Sequence, residues 1–184
     1  MYNYTLSMVV SFIAMSLITI SYFLKRKSLY LSFQASGIVF LILSFLFTEQ
    51  FFAMLGLTIG LARTVTFFLY EKKDKDAPLY LSILFSVLTI AVYFIVNLGV
   101  LKTAKPLDIL YLVGLVFYAF TFRIRNLKTM RYVTVVPTFL NVLYSVLIYS
   151  TPFVIISYAF ECGANLLAIL KYDILEKEKA QQTK

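Results

Sequence analysis

The sequence predicts an all-α, polytopic membrane protein: seven transmembrane helices, arranged as two parallel three-helix units joined by a linker helix. Three observations predict it. First, 61% of the 184 residues are apolar and 14% are charged, with a mean hydropathy of +0.86, whereas a soluble domain is nearer half apolar and a quarter charged. Second, the apolar residues fall into runs close to the roughly 20 residues that one bilayer crossing requires. Third, the basic residues collect on alternate connections. These figures exclude a soluble enzyme, a disordered chain and a large extramembrane domain. The chain has no His and one Cys, which removes imidazole chemistry, His metal sites and intrachain disulfides.

The first span is 5–24. No Lys or Arg precedes it and Lys25-Arg26-Lys27 follows it, the reverse of a secretory signal, so it reads as an uncleaved helix with its N-terminus outside. Spans 29–48 and 50–70 are separated by Glu49 within Thr48-Glu49-Gln50, and so short a connection makes them antiparallel neighbours. Span 78–99 opens at Pro78 and span 107–122, the shortest, follows Pro106; at a helix start the missing N–H of proline costs little. Spans 132–150 and 152–172 are split by Thr151, an N-cap candidate before Pro152. The units are therefore 1–73 and 104–175, with a linker at 74–103 and a tail at 176–184.

Charge orients the bundle. Of 17 Lys and Arg, 14 fall on the side opposite the N-terminus (Arg131 and Lys128 among them), Lys102 and Lys105 fall on the other side, and Arg63 lies within a span. The positive-inside rule then places the N-terminus outside and the C-terminus in the cytoplasm. The net charge of +8 is accounted for by topology and anionic lipid head groups, not by nucleic acid. The expected partners are the bilayer and a small solute, and the chain is compatible with a homo-oligomer. A shift of 102 residues lays the first three spans over the last three, with Lys25-Arg26 near Lys128, Glu49 on Thr151 and Arg63 on Asn165. Parallel repeats of this kind are one of the transporter plans, with a central site.

The informative residues are the few polar ones at depth, because a charge at the bilayer centre costs about 2.5–3.5 kcal/mol on insertion scales and normally faces the protein interior. Arg63 suits an anion-binding or gating group, or equally a side chain that snorkels to the cytoplasmic head groups or sits in a structural pair, and Ala53, Gly56 and Gly60 on its face predict close helix packing there. Glu161 lies near the midplane with Tyr158 and Asn165 on the same face; pairing with Arg63 and a substrate- or proton-linked role are both open. The sixth span carries Asn141, Tyr144, Ser145 and Pro137, the last six residues into the predicted helix and a hinge candidate. Gln34 is a candidate for the cavity floor or gate. Asn97 is expected at the interface. Tyr111, Gly114 and Tyr118 form a mixed aromatic face, and Cys162 reads as packing. No Gly-rich phosphate loop, paired acids or metal cluster is present, so no cofactor, no metal and no enzymatic activity is expected.

The 3+1+3 plan resembles the SWEET sugar transporters and, more broadly, the PQ-loop and PnuC-type transporters. Arg63-Thr64, Thr129-Met130-Arg131 and Gly163-Ala164-Asn165 are closer still to the YgjV-type bacterial inner-membrane proteins. That resemblance implies a bacterial inner-membrane location. The SWEET-like resemblance implies a pocket to which the third helix of each unit contributes an Asn. Asn165 takes that place in the second unit and Arg63 in the first, which favours an anionic solute over a sugar. The expected function is a small-solute transporter or facilitator, with a site lined by Arg63, Asn141, Tyr144, Tyr158, Glu161 and Asn165. The alternative is a non-transporting scaffold or partner subunit, held by a structural Arg63–Glu161 pair.

Overall fold

The computed structural model describes residues 4–47, 51–96, 106–147 and 152–175. These form seven helices: α1 Tyr4–Tyr22, α2 Lys27–Phe47, α3 Phe51–Lys72, α4 Leu79–Tyr93, α5 Asp108–Thr121, α6 Leu127–Leu147 and α7 Pro152–Ala168. A π-helical segment, Ile169–Leu175, continues α7. No strand occurs among the described residues. α1, α2 and α6, together with the stretch Leu79–Val96, are long and apolar enough to cross a membrane. The predicted turns at Glu49 and Thr151, together with Asn97, Lys102 and Lys105, lie outside the described residues.

Each helix packs on its sequence neighbour, and α1 also packs on α7. The bundle therefore closes on itself. Its core draws on all seven helices: Tyr22, Tyr30, Phe67, Phe85, Tyr118, Met130 and Ala164 belong to one buried cluster. The outside is apolar as well, with Phe12, Ile95, Ile109 and Phe160 each more than 60% exposed. Polar positions inside and large apolar positions outside suit a lipid surround, in which apolar side chains cost nothing to expose.

Local contacts explain where the helices meet. Along α1 and α2, the Ser44 hydroxyl lies 2.8 Å from that of Ser7 and 2.6 Å from that of Ser11, polar glue of the kind that joins membrane helices. Ser82 of α4 donates to the Ala119 carbonyl of α5 at 2.9 Å. α3 ends with Asp74 at φ 52°, a left-handed conformation that Asp tolerates better than most residues. There the Lys75 N–H reaches the Tyr70 carbonyl and the Asp74 N–H reaches that of Glu71, which closes the helix end in a Schellman arrangement.

Three expectations are corrected. The sixth helix begins at Leu127, not 132. The Asn126 side chain accepts the Lys128 and Thr129 amides at 2.9 and 3.4 Å, a helix cap that a charge-based boundary at Arg131 hides. Pro137 consequently lies ten residues beyond the helix start, near its middle rather than near its end. Gly56, expected on a close-packed face, is exposed, and a β-carbon there would meet nothing within 4 Å. Close approach occurs instead at Gly37, against α1, and at Gly114, where a β-carbon would lie 3.1 Å from the Asn141 side-chain oxygen.

Burial recurs along the chain. Buried Tyr30, Leu31, Gln34, Gly37 and Ile38 of α2 have buried counterparts Met130, Arg131, Thr134, Pro137 and Thr138 in α6. The preceding turns share the same backbone bonds, Phe23 to Ile20 and Arg123 to Phe120. For this helix pair the spacing is 100 residues, not the 102 set by overlaying charges and turns.

Candidate functional site

Glu161 projects from α7 toward the bundle centre and is half-buried. Its Oε1 accepts the Tyr22 hydroxyl of α1 at 2.8 Å and the Tyr118 hydroxyl of α5 at 2.9 Å. Both tyrosines lie in the last turn of their helices. Helical side chains lean toward the N-terminal end, so these two reach back from the helix ends to the level of Glu161. One carboxylate oxygen thus joins three helices.

Arg63 of α3 is 6% exposed. Its Nη1 donates to the Leu115 carbonyl of α5 at 3.1 Å. Its guanidinium carbon lies 5.3 Å from the Phe122 ring centre and 5.8 Å from that of Tyr118, within cation–π range. Its Nε is buried without a partner. Arg63 and Glu161 form no ion pair; Tyr118 touches both, with its ring beneath the guanidinium and its hydroxyl on the carboxylate. The direct Arg63–Glu161 contact at the centre of the scaffold alternative is absent.

The remaining predicted residues divide into four places. Tyr144 belongs to a second carboxylate: its hydroxyl donates to Asp108 Oδ1 at 2.8 Å, while Tyr93 of α4 donates to Oδ2 at 2.8 Å. Asp108 is 7% exposed. Tyr144 also stacks on Tyr111, with ring centres 5.3 Å apart and planes inclined by 26°. Tyr158 lies one turn before Glu161 on α7 and is half-buried. Asn141 is buried between these groups against Gly114, its Oδ1 unpartnered. Gln34 sits between α1 and α2, donating to the Ser21 hydroxyl at 2.9 Å and Tyr30 at 3.5 Å. Pro137 is buried within α6.

Asn165 makes no hydrogen bond with Arg63. Its Nδ2 donates to the Arg131 carbonyl at 3.1 Å, and its Oδ1 has no partner. Arg131 is itself 3% exposed. Its Nη1 lies 3.6 Å from Asp173 Oδ1, its Nη2 donates to the Leu24 carbonyl at 2.7 Å, and its guanidinium covers the Tyr172 ring at 5.2 Å. In α2 the buried Lys27 pairs with Glu71 at 2.9 Å. A basic residue early in α2 is thus tied to an acid at the end of α3, and one early in α6 to an acid in the segment that continues α7.

Sequence reasoning did not single out Tyr22, Tyr30, Asp108, Asp173 or the buried role of Arg131. Arg131 and Asp173 are charged residues beside basic loops, where topology accounts for any charge. Tyr22 is one of 14 tyrosines. Asp108 alone carried a usable signal, as an acid inside the predicted fifth span.

The family model for bacterial inner membrane proteins of the Imp-YgjV type matches residues 5–175. The chain belongs to that family. No curated protein and no solved structure matches it. The family description supports a bacterial inner-membrane protein built of apolar helices.

Proposed function

We propose that this Imp-YgjV protein is a small-solute transporter or facilitator, with an anion-accepting site between two three-helix units, α1–α3 and α5–α7, joined by α4. The observation that carries the reading is the pair of charges about Tyr118. Arg63 and Glu161 come from different units, lie inside an apolar bundle, and are neutralised neither by each other nor by another ion partner among the described residues. A purely structural charge inside a membrane is normally paired. Charges kept apart and held by hydroxyls and rings suit a site that engages something else. The unpartnered Nε of Arg63 supplies a donor for a carboxylate or phosphate oxygen.

The recurrence of buried positions and turn bonds between α2 and α6 supports the two-unit plan, and Pro137, opposite Gly37 in that recurrence, is the hinge candidate. Of the other expected lining residues, Tyr144 is bonded to Asp108, Asn165 to the Arg131 carbonyl and Gln34 to Ser21, so the reading centres on Arg63 and Glu161. The N-terminus is outside and the C-terminus cytoplasmic by the charge split. The reading involves no cofactor and no chemical transformation of the solute.

Uptake into proteoliposomes, across a panel of small carboxylates, phosphate, sugars and nucleosides, tests the proposal. An anionic solute is expected to enter. Arg63→Ala is expected to weaken its apparent affinity by roughly 10- to 100-fold, the loss of one buried charge-assisted contact, and Arg63→Lys to recover part of it. If nothing in the panel moves, or if Arg63→Ala transports as well as wild type, the reading fails.

A further inference from the structure

Glu161 accepts hydroxyls from Tyr22 and Tyr118, which come from two other helices. At Glu161 both donors go to Oε1, and Oε2 makes no hydrogen bond among the described residues. Oε2 is therefore the atom free to take up a proton.

We propose that Glu161 is the binding site of a proton that moves with the solute. The coupling rests on the transport reading; the proton site does not. The step is an acid–base equilibrium. A proton from bulk water bonds to Oε2, leaving a neutral carboxyl, and returns to water when that bond breaks. The titratable groups around Glu161 are Tyr22 of α1 and Tyr118 of α5, bonded to it, Tyr30 of α2, whose ring meets that of Tyr22 at 5.5 Å, Tyr111 of α5, and Tyr158 one turn earlier on its own helix. From α6, Arg131 is engaged by Asp173 and Tyr144 by Asp108. From α3, Arg63 meets the Tyr118 ring instead of the carboxylate. Among the described residues no cation pairs with Glu161, which leaves its charge free to change with proton binding. Hydrogen bonds to an ionised acceptor are about twice as strong as neutral ones. Proton binding therefore loosens the tie from α7 to α1 and α5, which links the proton to the relative position of the two halves.

Infrared difference spectra of the full-length protein in lipid nanodiscs, between neutral and acidic pH, test the site. Wild type is expected to gain a protonated-carboxyl band that is lost in Glu161→Gln. The Gln side-chain oxygen still accepts both tyrosine hydroxyls, so that variant keeps the clamp. If it does not fold, Tyr118→Phe is expected to keep the band and shift its titration. A spectrum without a Glu161-dependent band, or a titration unmoved in Tyr118→Phe, overturns the site. In proteoliposomes, an imposed pH gradient is expected to drive uptake of the panel solute that moves, and Glu161→Gln to abolish that response. Uptake indifferent to the gradient overturns the coupling and leaves the transport reading standing. Uptake of no solute overturns the transport reading and the coupling, while the infrared band still reports on the proton site.

Discussion

Arg131→Ala is expected to destabilise the protein by about 3–5 kcal/mol, the typical cost of removing one partner from a buried ion pair. Four interactions converge on this residue. The guanidinium approaches Asp173 at 3.6 Å, donates to the Leu24 carbonyl at 2.7 Å and covers Tyr172 at 5.2 Å, and the Arg131 backbone carbonyl accepts Asn165. Truncation leaves the Asp173 carboxylate buried, with its Oδ2 already lacking a partner. Lys128 lies nearby but donates to the Asp173 backbone oxygen at 3.2 Å, so it would have to give up that bond to replace the arginine. The loss also frees the α1–α2 corner from α6, because the Leu24 carbonyl belongs to the turn after α1.

Thermal unfolding in detergent, followed by size exclusion, measures the effect. Arg131→Met combined with Asp173→Leu is expected to be more stable than Arg131→Ala alone, because no uncompensated charge stays buried. If the double variant is the worse of the two, the buried carboxylate is not the origin of the loss. Arg125→Ala is the contrast. Arg125 pairs with Asp74 and Asp76 at the surface, its side chain half exposed, and exposed pairs are worth about 0–1 kcal/mol.

Arg131 also marks the limit of what the sequence carries. Hydropathy located seven helices because an apolar run of span length has few other stable uses. Boundaries followed charge, and charge misled at Arg131, which belongs inside α6. A basic residue in a cytoplasmic connection and one folded back under a helix end look the same in a linear pattern. Glu161 and Arg63 were legible because charge is scarce at depth. Their separation by Tyr118 was not, since it depends on how far two tyrosines reach back from the ends of α1 and α5. Asp108 shows a related blindness: its significance comes from Tyr93 and Tyr144, 15 and 36 residues away in sequence.

Gly37→Val is expected to separate α1 from α2 and to cost more than Gly37→Ala, itself expected at about 1–3 kcal/mol from overpacking. A β-carbon at residue 37 would lie 2.6 Å from Ile18 Cγ1 and 3.1 Å from the Ala14 backbone oxygen. Neither neighbour yields easily. Cγ1 sits in the middle of a buried side chain, and the Ala14 oxygen moves only if α1 moves. Displacing α1 would stretch the Ser7–Ser44 and Ser11–Ser44 contacts. It would also pull Tyr22, at the end of the same helix, away from Glu161. The lesion therefore reaches the candidate site from the far side of the helix. Ile18→Ala removes the closer obstacle, so Gly37→Ala with Ile18→Ala should lose less stability than the sum of the two single changes, a coupling of about 0.5–3 kcal/mol for residues in contact. Gly163→Ala serves as the control. A β-carbon there meets nothing within 4 Å, and Ala is the better helix former by about 1 kcal/mol, so this variant should unfold at the same temperature as wild type or higher. If Gly37→Ala behaves like Gly163→Ala, the close approach of α1 and α2 is not what fixes this hairpin.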